Sequence, residues 1–166
     1  MARKVEKVIE VNAPVETCFR VWMDFENYPT FMKHVERVQA TENPNIWHWE
    51  IKGPFGKTLQ WDAQIDFMEP NKVIAWKSVH HAEIATTGSV NFQPEPNERT
   101  RIYFSMSYEP PGGGLGEFIA GVIEDPDKLV EDALIGFKKH MEHRDPTSEE
   151  EQRGVIQSGF GPQSFT

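Results

Sequence analysis

The period of the apolar residues constrains this chain most: from Val35 to Tyr108 they return at every second position, with a helical period on either side. Leu59, Trp61, Ala63, Ile65 and Phe67 alternate with Gln60, Asp62, Gln64 and Asp66, the pattern of a strand with one buried face. Trp47, Trp49 and Ile51 alternate likewise with His48, Glu50 and Lys52. Val73 to Val79 and Thr86 to Phe92 read as strands, and Thr100, Ile102, Phe104, Met106 and Tyr108 alternate once more. Turn residues stand between these segments at Gly53-Pro54-Phe55-Gly56-Lys57, Glu69-Pro70-Asn71-Lys72 and Pro94-Glu95-Pro96-Asn97. Connections this short join antiparallel neighbours, so the prediction is a six-strand meander. The chain's Val and Ile greatly outnumber its four leucines, and it carries five tryptophans. β-Branched and aromatic side chains suit a pleated surface.

The flanks supply the helices. Lys4 to Val11 alternates and predicts a first strand, ending at Asn12-Ala13-Pro14. Pro14 suits the first helical position, and Val15, Cys18, Phe19, Trp22 and Met23 follow at helical spacing to about Asp24. Phe25, Tyr28, Phe31 and Met32 continue the stripe, but Asn27 and Pro29 interrupt it, which predicts a short second helix or a pair of turns. After Pro110-Pro111-Gly112-Gly113-Gly114, a long helical stripe runs from Leu115 through Met141, with a kink or restart at Asp125-Pro126. The predicted fold class is α+β, with order β-α-α-β6-α. In a chain of 166 residues this leaves room for one domain, residues 1–143, and a polar tail over 144–166 too poor in apolar residues to order itself.

Charge and composition narrow the function classes. The net charge of −9, with scattered lysines and arginines, lacks the positive field that nucleic-acid binding draws on, so no nucleic-acid partner is expected. No apolar run approaches the roughly 20 residues of a membrane span, and the N-terminal residues lead into alternation rather than a signal-peptide core. A cytoplasmic protein, monomeric or weakly dimeric, is the expectation. The single cysteine, Cys18, lies on the first helix's apolar stripe and reads as an inert core thiol.

Several short motifs in this order resemble the START-like (SRPBCC) superfamily, and within it the branch of polyketide cyclase/dehydrase and ubiquinone-binding proteins. They are Ala13-Pro14, Asn27-Tyr28-Pro29-Thr30-Phe31, Ile74-Ala75-Trp76-Lys77-Ser78 and Gly88-Ser89-Val90-Asn91-Phe92. Thr100-Arg101-Ile102, Tyr108-Glu109-Pro110-Pro111-Gly112-Gly113 and the segment from Glu131-Asp132 to Phe137-Lys138 complete the resemblance, which covers about Val5 to Glu142. It implies the helix-grip fold: a curved antiparallel sheet wrapped around a long C-terminal helix, with a cavity between them for a hydrophobic small molecule.

Parity then names the candidate ligand-binding residues. Trp47, Trp49, Trp61, Ile65, Phe67, Ile74, Trp76, Val90, Phe92, Ile102, Phe104, Met106 and Tyr108 share the concave face. Phe118, Val122, Leu129, Ala133 and Phe137 close it from the helix. The bland alternative is that these side chains are plain core, as inward aromatics are in any domain of this size. Access is expected between the Gly53–Lys57 turn, the Pro110–Gly114 loop and the helix.

Catalytic chemistry finds little purchase in this register. Ser78, Thr100 and Tyr108 are the polar groups sharing the apolar parity, while His48, Glu50, Asp62, Asp66 and Arg101 point outward unless a bulge reverses them. Tyr108 is the best placed, yet all three hydroxyls read first as capped or rim groups, and no catalytic residue is assigned. His80-His81 point to opposite faces, and His140 with His143 lack a third ligand, so no metal site is assigned. Gly112-Gly113-Gly114-Leu115-Gly116 lacks the Gly-Lys-Ser/Thr ending of a phosphate loop, and no cofactor is expected. The first reading is therefore binding or transport of a lipid, quinone or polyketide-like molecule. A polyketide aromatase/cyclase or dehydratase is the alternative, which needs an inward acid or base, and a macromolecular interaction protein is the third.

Overall fold

The computed structural model describes residues 3–52, 58–80, 82, 84–109 and 126–143. Seven strands form one antiparallel sheet: β1 (Arg3–Val11), β2 (Val35–Ala40), β3 (Ile46–Lys52), β4 (Thr58–Glu69), β5 (Val73–Val79), β6 (Ala85–Glu95) and β7 (Arg99–Glu109). Their order is β1-β7-β6-β5-β4-β3-β2, so the six meander strands lie in chain order and β1 closes the far edge on β7. The sheet curls into a half-barrel around the C-terminal helix α2 (Pro126–Glu142), the helix-grip arrangement. The sequence-predicted Gly53–Lys57 turn, the segment from Pro110 through Asp125 and the tail lie outside the described residues.

Local sequence accounts for the elements that bridge β1 and β2. Helix α1 spans Val15–Trp22 and buries Val15, Cys18, Phe19, Val21 and Trp22. Pro14 stands one residue before its expected place, as the N-cap, and its carbonyl accepts the first helical bond from the Cys18 N–H at 3.0 Å. A proline there loses nothing, because that N–H would have no helical partner. The predicted second helix is a 3-10 helix over Phe25–Thr30, with Pro29 inside it. Its tighter winding turns Phe25 and Tyr28 into the protein within six residues.

Two register irregularities bend the sheet. In β4, Ile65 faces Trp76 and Phe67 faces Ala75, so Asp66 is an extra residue; a second shift lies between Val35 and Arg37 in β2. Such a bulge raises the local twist and reverses the parity of everything beyond it. Phe67 is thereby turned to the convex face, 57% exposed, which corrects its predicted place among the concave residues. Gly88 permits another close fit. It sits opposite Trp76, and a Cβ there would stand 2.6 Å from both the indole ring and the Ser105 carbonyl oxygen.

Helix α2 is fixed along one side of the concave face. Lys138 donates to the Glu10 carbonyl and pairs with Glu142 at 2.8 Å, while Glu142 accepts the Asn12 N–H at 2.8 Å. At the other flank, Asp132 is approached by Lys128 at 3.3 Å, His34 at 3.4 Å and Lys33 at 3.6 Å. Between these ties Val130, Leu134, Phe137 and Met141 are buried. Phe137 is fully enclosed, edge-on to Trp22 with ring centroids 4.9 Å apart.

Candidate functional site

The grip does not close completely. Between the sheet, α1, the 3-10 helix and the N-terminal half of α2 lies a cavity of about 180 Å³. Curvature causes it: a strongly bent sheet meets a straight helix at one end and stands away from it at the other. At the closed end Phe92 packs against Phe19 and Trp22, with centroid distances of 5.5 and 5.8 Å. Val90, Ile102 and Phe137 are buried in the same solid core. These four stand on the expected face and do not line the cavity.

At the open end the strands supply the wall. Trp47 and Trp49 of β3, Trp61 and Ile65 of β4, and Ile74 and Trp76 of β5 line it, followed by Phe104, Met106 and Tyr108 of β7. Leu129 and Ala133 contribute from α2, as their helical positions predict, whereas Phe118 and Val122 lie outside the described residues. The rings interlock. Trp49 and Trp61, register partners, stack with planes 4° apart and centroids at 6.1 Å, and Trp76 leans on Phe104 at 5.6 Å. Phe25 touches Trp47 at 5.2 Å, tying the 3-10 helix to the sheet.

The sequence reading omitted the wall's other half. Trp22, Phe25 and Tyr28 line the cavity from the helical elements and Met32 from just after them, as do Ile51, Ala63, Ile84 and Thr86 from the sheet side. The apolar stripe of Val15 to Met32 did signal burial for these helical positions, but a stripe does not say what it is buried against. Trp22 belongs to this group, so all five tryptophans of the chain share one cavity.

Among the described lining residues none bears a carboxylate, imidazole, ammonium or guanidinium group. Tyr28 donates its hydroxyl to the Trp22 carbonyl, and full burial pushes its phenol well above the ordinary range, so it stays neutral. Thr100 is wholly buried and donates to the Ala13 carbonyl at 2.8 Å, while Ser78 Oγ accepts the Thr86 N–H at 3.0 Å. Two of the three sequence-selected hydroxyls thus serve the backbone, and Tyr108 stands on the cavity wall. Burial pushes the Cys18 thiol up to about 11, which leaves it a protonated core group.

The charged candidates face the convex side, as expected. His48 is held by Asp62 at 2.7 Å and Glu50 at 3.1 Å, and Arg37 reaches Glu50 at 2.6 Å. Burial works against a charged His48 ring, but its hydrogen bonds to Asp62 and Glu50 outweigh that, and its pKa is raised. His140 stacks on Phe31 with centroids 4.4 Å apart. The described residues contain no cluster of three or more His, Cys, Asp or Glu able to hold a metal, and none of their helices is long and apolar enough to cross a membrane.

Comparison with known proteins fits this geometry. Residues 11–134 match the family described as polyketide cyclase / dehydrase and lipid transport. An uncharacterised 17.2 kDa protein of Streptomyces lincolnensis is 30% identical over 141 residues, covering 85% of this chain and 91% of that protein. Among solved structures, the Zhui aromatase/cyclase of Streptomyces sp. R1128 superposes with a TM-score of 0.71 at 19% identity, covering 87% of this chain and 96% of that one. A START superfamily protein from Mycobacterium smegmatis gives 0.66 at 18% identity, over 84% and 97% of the two chains. At these identities the two structures share the fold with this chain.

Proposed function

Because the chain belongs to the polyketide cyclase / dehydrase and lipid transport family, of START-like fold, we propose that it binds or carries a hydrophobic small molecule in the cavity between sheet and α2. The observation that carries this reading is the wall itself: five tryptophans with Phe25, Phe104, Met106 and Leu129 around about 180 Å³, with no charged side chain among the described lining residues. Such a surface attracts a ligand through apolar burial at roughly 25 cal/mol per Å² hidden. A general acid or base would have to lie within hydrogen-bond reach of a reacting atom, and the described wall offers two hydroxyls, of Thr86 and Tyr108, beside the committed Tyr28. That balance favours a carrier of lipid, quinone or polyketide-like molecules over a cyclase or dehydratase.

Native mass spectrometry of gently purified protein tests the reading. A stoichiometric apolar adduct, or one-to-one uptake of an added polycyclic hydrocarbon, is the expected result. Protein that carries no adduct and refuses such molecules overturns it.

A further inference from the structure

One row of the concave face breaks the apolar pattern. Ser78 on β5, Thr86 on β6 and Tyr108 on β7 stand on adjacent strands, all on the inner side, one step beyond the row of Trp76, Gly88 and Met106. Thr86 and Tyr108 are register partners, and both line the cavity. The Ser78 hydroxyl is engaged as acceptor for the Thr86 N–H at 3.0 Å. Thr86 itself is 5% exposed, and its Oγ1 is buried with no hydrogen-bond partner among the described residues.

A buried hydroxyl without a partner loses its water and gains nothing in return. A valine would fill the same volume without that loss. A turn of about 120° about χ1 carries Oγ1 to another of the three staggered positions on Cβ, which brings the hydroxyl to the cavity when an acceptor arrives, and the proton itself rotates to suit. We infer that Thr86 is the polar anchor of the cavity, donating its hydroxyl to a neutral oxygen, a ketone or quinone carbonyl or an alcohol, on an otherwise apolar ligand, with Tyr108 as its neighbour on the wall. This rests on the cavity's being a hydrophobic ligand site, as proposed above. A carboxylate ligand is disfavoured, because the described wall holds no cation to compensate a buried charge.

A matched pair of probes separates the anchor from the cavity. Isothermal titration of 9-fluorenone and fluorene, which differ in one carbonyl, is run on the wild type, Thr86→Val and Thr86→Ser. The wild type prefers the ketone by about tenfold, Thr86→Val loses that preference with fluorene affinity kept, and Thr86→Ser retains it. Fluorene binding with a ketone preference unaltered by Thr86→Val overturns the anchor alone. Failure of the wild type to bind either probe overturns the cavity reading and the anchor with it. The infrared carbonyl stretch of fluorenone bound to the wild type gives a check independent of variant folding: a shift to lower wavenumber is expected, and a stretch equal to that in hydrocarbon solvent overturns the proposal.

Discussion

Gly136 and Phe31 meet backbone to backbone: a Cβ on Gly136 of α2 would stand 2.0 Å from the Phe31 carbonyl oxygen, just after the 3-10 helix. Neither partner is a flexible side chain that could step aside. Gly136→Ala is therefore expected to push α2 off the 3-10 helix and cost about 3 kcal/mol or more, as overpacked sites do. Urea unfolding of the variant checks this, and a loss below about 1 kcal/mol would show that the contact yields.

Ala133 offers the opposite experiment. It faces the cavity from α2, so Ala133→Phe places a ring in the open space rather than in a packed core. The ligand-free protein is expected to gain up to about 1 kcal/mol, as cavity-filling changes do, while affinity for a polycyclic hydrocarbon falls by more than tenfold. Thermal unfolding by circular dichroism and calorimetric titration measure the two effects. Unchanged affinity would place the ligand elsewhere.

The hairpin between β6 and β7 carries two successive left-handed residues, Asn97 at φ 65° and Glu98 at φ 54°. Three residues, Pro96, Asn97 and Glu98, join the paired Glu95 and Arg99; asparagine tolerates the left-handed region, but glutamate holds it at a cost. Glu98→Gly is expected to stabilise the fold by about 0.5–1 kcal/mol, visible as a higher urea midpoint with an unchanged slope.

On the convex face His48 clasps β3 to β4 through Asp62. Its folded pKa is raised, so its stabilising contribution is complete below the unfolded value near 6.5 and is lost as pH rises through the folded one. Partial exposure to water, 27% for the His48 side chain and 31% for that of Asp62, keeps the effect to a few tenths of a kcal/mol. The wild type should lose that increment as pH rises above about 6.5, relative to His48→Gln, in paired urea titrations. Parallel pH profiles would refute the assignment.

How far the sequence reaches is clearest at two neighbours, Ile65 and Phe67. Alternation alone put both inside, and the meander strands and the concave identity of Trp47, Trp49, Trp61 and Trp76 followed from the same period of two, whereas the pairing of β1 with β7 did not. The extra residue Asp66 defeats that logic, because a bulge leaves no mark in a hydrophobic pattern. Parity also cannot distinguish Phe92, in the solid core, from Phe104, on the cavity wall. That depends on where α2 stops filling the curve, which is set by ties such as Lys138 to Glu10, 128 residues apart in sequence. Thr86 was passed over for a related reason: a threonine is legible as inward, but not as lacking a partner.

The gathering of every tryptophan around one cavity makes the protein its own optical reporter. With Trp22, Trp47, Trp49, Trp61 and Trp76 all on the wall, no indole elsewhere dilutes the emission. A bound molecule that absorbs in the near ultraviolet would stand within energy-transfer range of all five at once. Quenching should then approach completion at one equivalent, while a transparent ligand should leave intensity and move the emission maximum. Colour in the ligand, rather than a label on the protein, decides which signal is seen.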